Sequence, residues 1–185
     1  MGALLGDFVK GTPENLLRSF PEELVEGIML HRAIDQFTDS HALFRECKRL
    51  LHPSRKRFSG IVLDLFFDHL LSRNWTQFST MALTDFIAGI HHTLEQKEDW
   101  LPSESKAIVK RMKTQQWLSS YQNLSGLSLT LARVSQRRSY LAPLKGAESD
   151  LSANMDNFQS AFDRFYPELI AFANQVKEGG AFNSR

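Results

Sequence analysis

Cysteine is nearly absent: Cys47 stands alone in 185 residues. That count excludes an internal disulfide framework and any multi-cysteine zinc cluster, and leaves Cys47 as a passive thiol in a reducing compartment. No apolar run approaches the ~20 residues of a membrane span. The opening Met-Gly-Ala-Leu-Leu-Gly-Asp has neither the basic flank nor the long apolar core of a signal peptide, so a cytoplasmic location is expected. Net charge is only +1, which removes any global electrostatic case for nucleic acid or a membrane surface. No glycine-rich phosphate loop follows a strand, and no segment sustains a period-2 alternation. Repeats, low-complexity tracts and linkers are missing as well.

What is present is apolar residues at helical spacing. Hydrophobic residues make up 42% and charged ones 23%, the balance of a globular domain, and 14 phenylalanines imply a ring-rich interior. The expected architecture is one all-α domain of about seven helices over residues 1–178, with a frayed tail at 179–185. Pro21, Glu22 and Glu23 make a good first helical turn, because proline is tolerated there and acids suit the positive end of the dipole. Leu24, Val25, Ile28, Ala33, Ile34 and Phe37 then point inward. Further helices are expected at Ala42–Leu51, stopped by Pro53, at Phe58–Arg73, and at Leu83–Glu98 with Phe86, Ile87, Ile90 and Leu94 inward. Another starts at Pro102-Ser103 and carries Ile108, Val109, Met112, Trp117 and Tyr121, and one more covers Leu124–Arg138. Ser149 reads as the N-cap of a long last helix toward Lys177, kinked or split by Pro167 and ended at Gly179-Gly180. Thr12-Pro13-Glu14-Asn15 reads as a turn, and His41 and His52 as capping or solvent residues.

Two of these helices carry unusual polar residues. Between Gly60 and Ser72 only Asp64, Asp68 and His69 interrupt an apolar run. The apolar residues surround the axis, so this helix should be buried on most sides. Asp64 and Asp68, four apart, share a face, and His69 lies about 100° further round. Carboxylates are almost never buried unless paired or bound to a metal. On the Pro21 helix, His31, Asp35 and Asp39 stand at i, i+4 and i+8 and form a polar stripe, unless Thr38-Asp39-Ser40 is already a turn. Asp7 is an acid among apolar residues flanked by glycines. Facing helices that project carboxylate and imidazole build metal sites in α-helical domains, and an oxygen-rich set with some imidazole suits Mn²⁺ or Mg²⁺ better than structural zinc. Taken singly, each residue has a plainer role: Asp64 or Asp68 paired with an arginine, His31 a neutral core histidine bonded to Asp35. Taken together, so many acids repel one another unless a cation offsets them.

Three motifs resemble the acyl carrier protein phosphodiesterase family, bacterial enzymes also called holo-acyl-carrier-protein hydrolases. They are Gly6-Asp7-Phe8-Val9-Lys10-Gly11, the run from Gly27 to Asp39 that contains His31-Arg32-Ala33-Ile34-Asp35, and the run Leu63-Asp64-Leu65-Phe66-Phe67-Asp68-His69 on to Trp75. The resemblance runs from residue 3 to near 175 and is looser beyond 80, where Gln116-Trp117-Leu118 and Ser135-Gln136-Arg137-Arg138 are its clearest echoes. It implies hydrolysis of the phosphodiester joining 4′-phosphopantetheine to a serine of holo-acyl carrier protein, a divalent cation with manganese favoured, and distant kinship to HD-type phosphohydrolases. Members usually begin with a further short segment of apolar residues and histidines. This chain starts almost at the match to Gly6-Asp7, which implies a truncated start or a lost metal or packing contribution.

Spacing and resemblance together assign His31, Asp35, Asp64, Asp68 and His69 to the metal, with Asp7 nearby. Asp35 or Asp39 is the candidate general base, and Arg32 or Arg73 the candidate clamp on phosphate oxygens. The carrier protein, small and acidic, should meet a basic patch: either Arg55-Lys56-Arg57 or Arg133, Arg137 and Arg138, although both also read as ordinary solvated surface. The rival readings are an HD-type phosphohydrolase acting on a nucleotide and a non-enzymatic helical interaction protein.

Overall fold

Pro21 caps the helix that organises the molecule, with Glu22 and Glu23 in its first turn. The computed structural model describes residues 1–179. Among these, the chain forms α1 (Gly2–Gly6), α2 (Pro13–Leu16), α3 (Glu22–Ser40), α4 (Ala42–Leu50), α5 (Ser59–Arg73), α6 (Leu83–Gln96), α7 (Ser103–Thr114), α8 (Trp117–Ser120), α9 (Leu124–Ser135), α10 (Glu148–Ala153) and α11 (Met155–Glu178). Short 3₁₀ turns occupy Pro53–Phe58, Trp75–Gln77, Glu98–Trp100 and Ser139–Leu144. The all-α expectation holds, and no strand occurs among the described residues.

The helix count exceeds the expectation for local reasons. Gln116 adopts a left-handed φ of 49° and breaks the Pro102–Tyr121 segment into α7 and α8. Asn154 divides the last helix, so Ser149 lies inside α10, whose N-cap is Ala147. Pro167 does not end α11, which continues to Glu178. Pro13–Leu16 closes a helical turn rather than a bare turn, and Asp39 is still helical within α3. Phe86 does not point inward; it is 41% exposed and packs on Trp75, with ring centroids 4.7 Å apart. His41 and His52 act as caps, each ring Nδ1 accepting a backbone N–H two residues on, at 3.3 Å. Of the expected tail, residues 180–185 lie outside the described residues.

Two apolar clusters form, and α3 belongs to both. The smaller joins Leu5, Leu16, Leu24, Val25, Ile28 and Leu101. The larger packs α4, α5, α9 and α11 through rings such as Phe44, Phe66, Phe158, Phe162 and Phe165, each at most 2% exposed. Phe66 and Phe158 meet edge to face at 5.3 Å and 87°, and burial of each such ring contributes roughly 1.5–3 kcal/mol. Leu24 to Ile28 anchor the first half of α3 in the smaller cluster, and Phe37 leans on the larger. His31 and Asp35 therefore sit where the clusters meet. At the other end of the small cluster, a Cβ on Gly2 would lie 2.7 Å from Gly27 Cα, so two glycines bring α1 and α3 into backbone contact.

Cys47 is buried, and burial pushes its thiol up to about 11, which suits the passive role expected of it. Arg55 departs from its expected place on a docking patch. Its Nη1 donates to Asp150 Oδ1 at 2.6 Å and its Nε to the Pro143 carbonyl at 3.0 Å, while Asp150 Oδ2 accepts the His52 N–H at 2.9 Å. This largely buried pair stitches the Pro53–Phe58 turn to α10. No helix among the described residues is long and apolar enough to cross a membrane.

Candidate metal centre

Helical spacing on α3 turns His31, Asp35 and Asp39 to one side, and α5 brings Asp64 and Asp68 to the same side. Asp7, the C-cap of α1, completes the group. All six line a single cleft of about 680 Å³ whose walls include Phe44, Phe67, Phe162 and Phe165. His31 Nε2 lies 3.2 Å from Asp7 Oδ1 and 3.2 Å from Asp35 Oδ2. One ligand atom from each of these three residues falls within 4.8 Å of the others. Close packing fixes the imidazole: a Cβ on Gly6 would come within 2.8 Å of His31 Cγ.

Asp64 and Asp68 are not buried as the sequence suggested. Both side chains reach solvent, although their neighbours Leu63, Leu65, Phe66, Phe67 and His69 on α5 are buried. The cleft explains the difference, since its floor is wet yet walled by protein. Desolvation there pushes Asp68 up to about 7, with Asp64 adding to the effect. Asp64 rises to about 6 through desolvation first, then the charges of Asp35, Asp39 and Asp7, against a pull from Lys48. Asp35 rises for the same kind of reason, with His31 opposing. His31 is raised, chiefly by its hydrogen bond to Asp7 and against desolvation. Among the described residues no lysine or arginine lies within ion-pair distance of Asp64 or Asp68. The arginine-paired reading of these acids therefore finds no partner. The donor chemistry, hard oxygens around one imidazole with unbalanced negative charge, fits a divalent cation such as Mn²⁺ or Mg²⁺.

The metal-free protein should consequently lose stability as pH rises. Asp64 and Asp68 have folded values above their unfolded ones, so their contribution is complete below about pH 4 and disappears as pH passes 6 to 7. His31, raised as well, acts in the same direction; His69, lowered by burial, opposes them. Both acids meet solvent, so screening limits the net effect to about 1 kcal/mol, or roughly 2–4 °C for a chain of this length. Thermal denaturation in chelator at pH 5 and pH 8 should show the lower Tm at pH 8, and Mn²⁺ should restore it. An equal or higher Tm at pH 8 would contradict this account.

Other expected site residues lie elsewhere. His69 is 3% exposed and outside the cleft; its Nδ1 meets the Tyr121 carbonyl at 2.7 Å, tying α5 to the turn after α8. Burial lowers its pKa, the Tyr121 bond opposing. Arg32 spends its guanidinium on the backbone, donating from Nη1 to the Gly11 carbonyl at 2.7 Å and from Nη2 to the Val9 carbonyl at 2.8 Å. It braces the loop that follows Asp7 rather than facing the cleft. Arg73 is exposed at the end of α5, with Nη1 3.9 Å from Met155 Sδ. Lys56, Arg57, Arg137 and Arg138 are exposed; Arg137 and the half-buried Arg133 also line a second hollow that shares Asp7, Ile61 and Asp64 with the cleft. Lys48, unremarked in the sequence, is half-buried beside the cleft with Nζ 5.2 Å from the Phe44 ring centre. Its only signal was a position one helical turn after Phe44.

Acids and an imidazole thus converge in one cleft of an all-α domain. The model of the family "Acyl carrier protein phosphodiesterase" matches residues 1–169, and the chain belongs to that family. Proteins of that name from Enterobacter sp. (strain 638) and Escherichia coli (strain K12 / DH10B) are 32% and 34% identical to it. The first alignment covers 93% of this chain and 88% of the relative, the second 94% and 89%. A third, from Klebsiella pneumoniae (strain 342), is 31% identical over 176 residues. No solved structure matches the chain.

Proposed function

We propose that this enzyme removes 4′-phosphopantetheine from holo-acyl carrier protein by metal-dependent hydrolysis of the phosphodiester to serine, leaving the apo carrier. The observation that carries the reading is the meeting of Asp7, His31 and Asp35 within ligand distance of one another, in the cleft that also holds Asp64 and Asp68. It is joined to the name shared by the relatives. Asp7, His31, Asp35, Asp64 and Asp68 are the residues that would hold the cation, and Mn²⁺ suits them. A cation so held supplies Lewis acidity toward a phosphoryl oxygen and lowers the pKa of bound water.

The chain's own residues do the remainder. Asp39 lines the cleft and has no hydrogen-bond or ion-pair partner among the described residues, so its carboxylate is free to take the proton of the attacking water. Asp35, the other candidate base, is engaged with His31. Arg32 acts as a positioning residue, holding the loop after Asp7 to α3. Lys56, Arg57 and Arg138 remain at the surface to meet an acidic carrier. The single buried thiol accords with a reducing, cytoplasmic setting.

Incubating the full chain with holo-carrier protein and Mn²⁺ should shift the carrier mass by loss of phosphopantetheine, and chelator should stop the shift. An unchanged carrier mass with Mn²⁺ or Mg²⁺ present would sink the reading.

A further inference from the structure

The hollow beside the acid cluster encloses about 510 Å³ and is lined in part by Trp117, Tyr121, Thr130, Arg133, Val134 and Arg137. Its wall of Asp7, Ile61 and Asp64 is shared with the cleft. A ligand can thus place a phosphate at the acids and its tail in the hollow.

Arg133 is the residue in this hollow that points to a ligand. Its Nη1 is buried and has no hydrogen-bond partner. Among the described residues no carboxylate lies within ion-pair distance of it, although Asp7 and Asp64 line the same hollow. An unmet buried donor of this kind costs roughly 1–3 kcal/mol and is rare enough in folded proteins to require an explanation. A phosphate oxygen is an acceptor that a guanidinium takes readily. Arg137, just beyond the end of α9, lies with its Cζ 5.4 Å from the centre of the Trp117 ring, a cation–π contact that holds both at the hollow's edge. Leu65, Val134 and Leu141 give apolar walls for a methylene chain, and Thr130, whose hydroxyl lies 3.5 Å from Ser120 Oγ, adds a polar group to the lining.

We infer that this hollow is the prosthetic-group pocket. Arg133 holds a non-bridging oxygen of the phosphodiester, and the apolar walls receive the linear, amide-bearing arm beyond it. The inference rests on the phosphodiesterase reading above, and it moves Arg133 and Arg137 from a carrier-docking patch to substrate binding. Arg133 thereby takes the clamp role that Arg32 and Arg73 do not fill.

Titration of the Mn²⁺-supplemented chain with pantetheine 4′-phosphate should quench tryptophan fluorescence, and the quench should vanish in Trp117→Phe. Arg133→Ala should weaken binding of this probe at least tenfold and raise KM for holo-carrier similarly, and Arg133→Lys should recover part of both. Adenosine monophosphate should bind at least tenfold more weakly than the probe. Circular dichroism and Tm identify any variant that fails to fold, in which case Arg133→Lys decides. Wild-type affinity in folded Arg133→Ala, a quench that persists in Trp117→Phe, or equal affinity for the nucleotide would each overturn the assignment. Stripping of holo-carrier with KM unmoved by Arg133→Ala would leave the activity standing and the pocket refuted. Probe binding through Arg133 without stripping would do the reverse.

Discussion

Asp64→Asn should lower phosphodiesterase kcat/KM by at least about a thousandfold, equivalent to roughly 4 kcal/mol of transition-state stabilisation, while making the metal-free protein more stable. Asparagine keeps the size of the carboxylate and removes its charge. In the proposed enzyme that charge helps to hold the cation, and a lost anionic ligand weakens both metal affinity and activation of water. Without metal the same charge is a burden, since Asp64 is raised to about 6 by desolvation and by Asp35, Asp39 and Asp7. Relief of that repulsion should raise the Tm in chelator by roughly 2–4 °C, a gain in stability bought with function. Steady-state kinetics with Mn²⁺ and thermal melts in chelator measure the two effects. Activity within tenfold of wild type would remove Asp64 from the ligand set, and a lower Tm would show it to be a structural partner instead.

Gly6→Ala should be nearly as damaging, although it touches no ligand atom. Alanine favours a helix over glycine by about 1 kcal/mol, so a reading of propensity alone predicts stabilisation. The packing reverses that sign. A Cβ at position 6 would lie 2.8 Å from His31 Cγ and 3.1 Å from His31 Cβ, distances that real Cβ atoms essentially never show or rarely adopt. Either the imidazole turns away or α1 withdraws from α3, and both outcomes part His31 from Asp7. Overpacking of this kind costs about 1–3 kcal/mol, and Mn²⁺ affinity should fall on the order of a hundredfold, as when the support of a metal ligand is lost. Calorimetric titration with Mn²⁺ and a thermal melt test it together. A higher Tm with Mn²⁺ affinity intact would mean that α1 does not press on His31.

The long helices were legible in the sequence because their signals are local. Pro21 with Glu22 and Glu23 marked the start of α3, and the apolar run around Asp64 and Asp68 marked α5. The i, i+4, i+8 stripe of His31, Asp35 and Asp39 placed those three on the cleft without knowledge of any neighbour. Features that depend on distant partners were not legible. Nothing near Arg55 reveals that its carboxylate is Asp150, 95 residues away. Nothing near His69 reveals that its ring faces the Tyr121 carbonyl instead of the acids. The accessibility of Asp64 and Asp68 was missed because periodicity reports which sides of a helix are covered, not whether the cover leaves a hollow. The break at Gln116 had no residue signal, since glycine or asparagine usually marks a left-handed turn; it is also what begins α8 at Trp117, on the wall of the second hollow.

The first eleven residues act as a clasp on α3. Gly2 touches Gly27, Gly6 touches His31, and Arg32 grips the carbonyls of Val9 and Gly11. Asp7 rides on that clasp, whereas His31 and Asp35 belong to the helix it closes upon. In the proposed enzyme, ion capture and closure of the clasp are thus reciprocally linked: each favours the other by the same free energy. An amide-exchange map would register occupancy of the centre at the far edge of α1, among residues that never contact the ion.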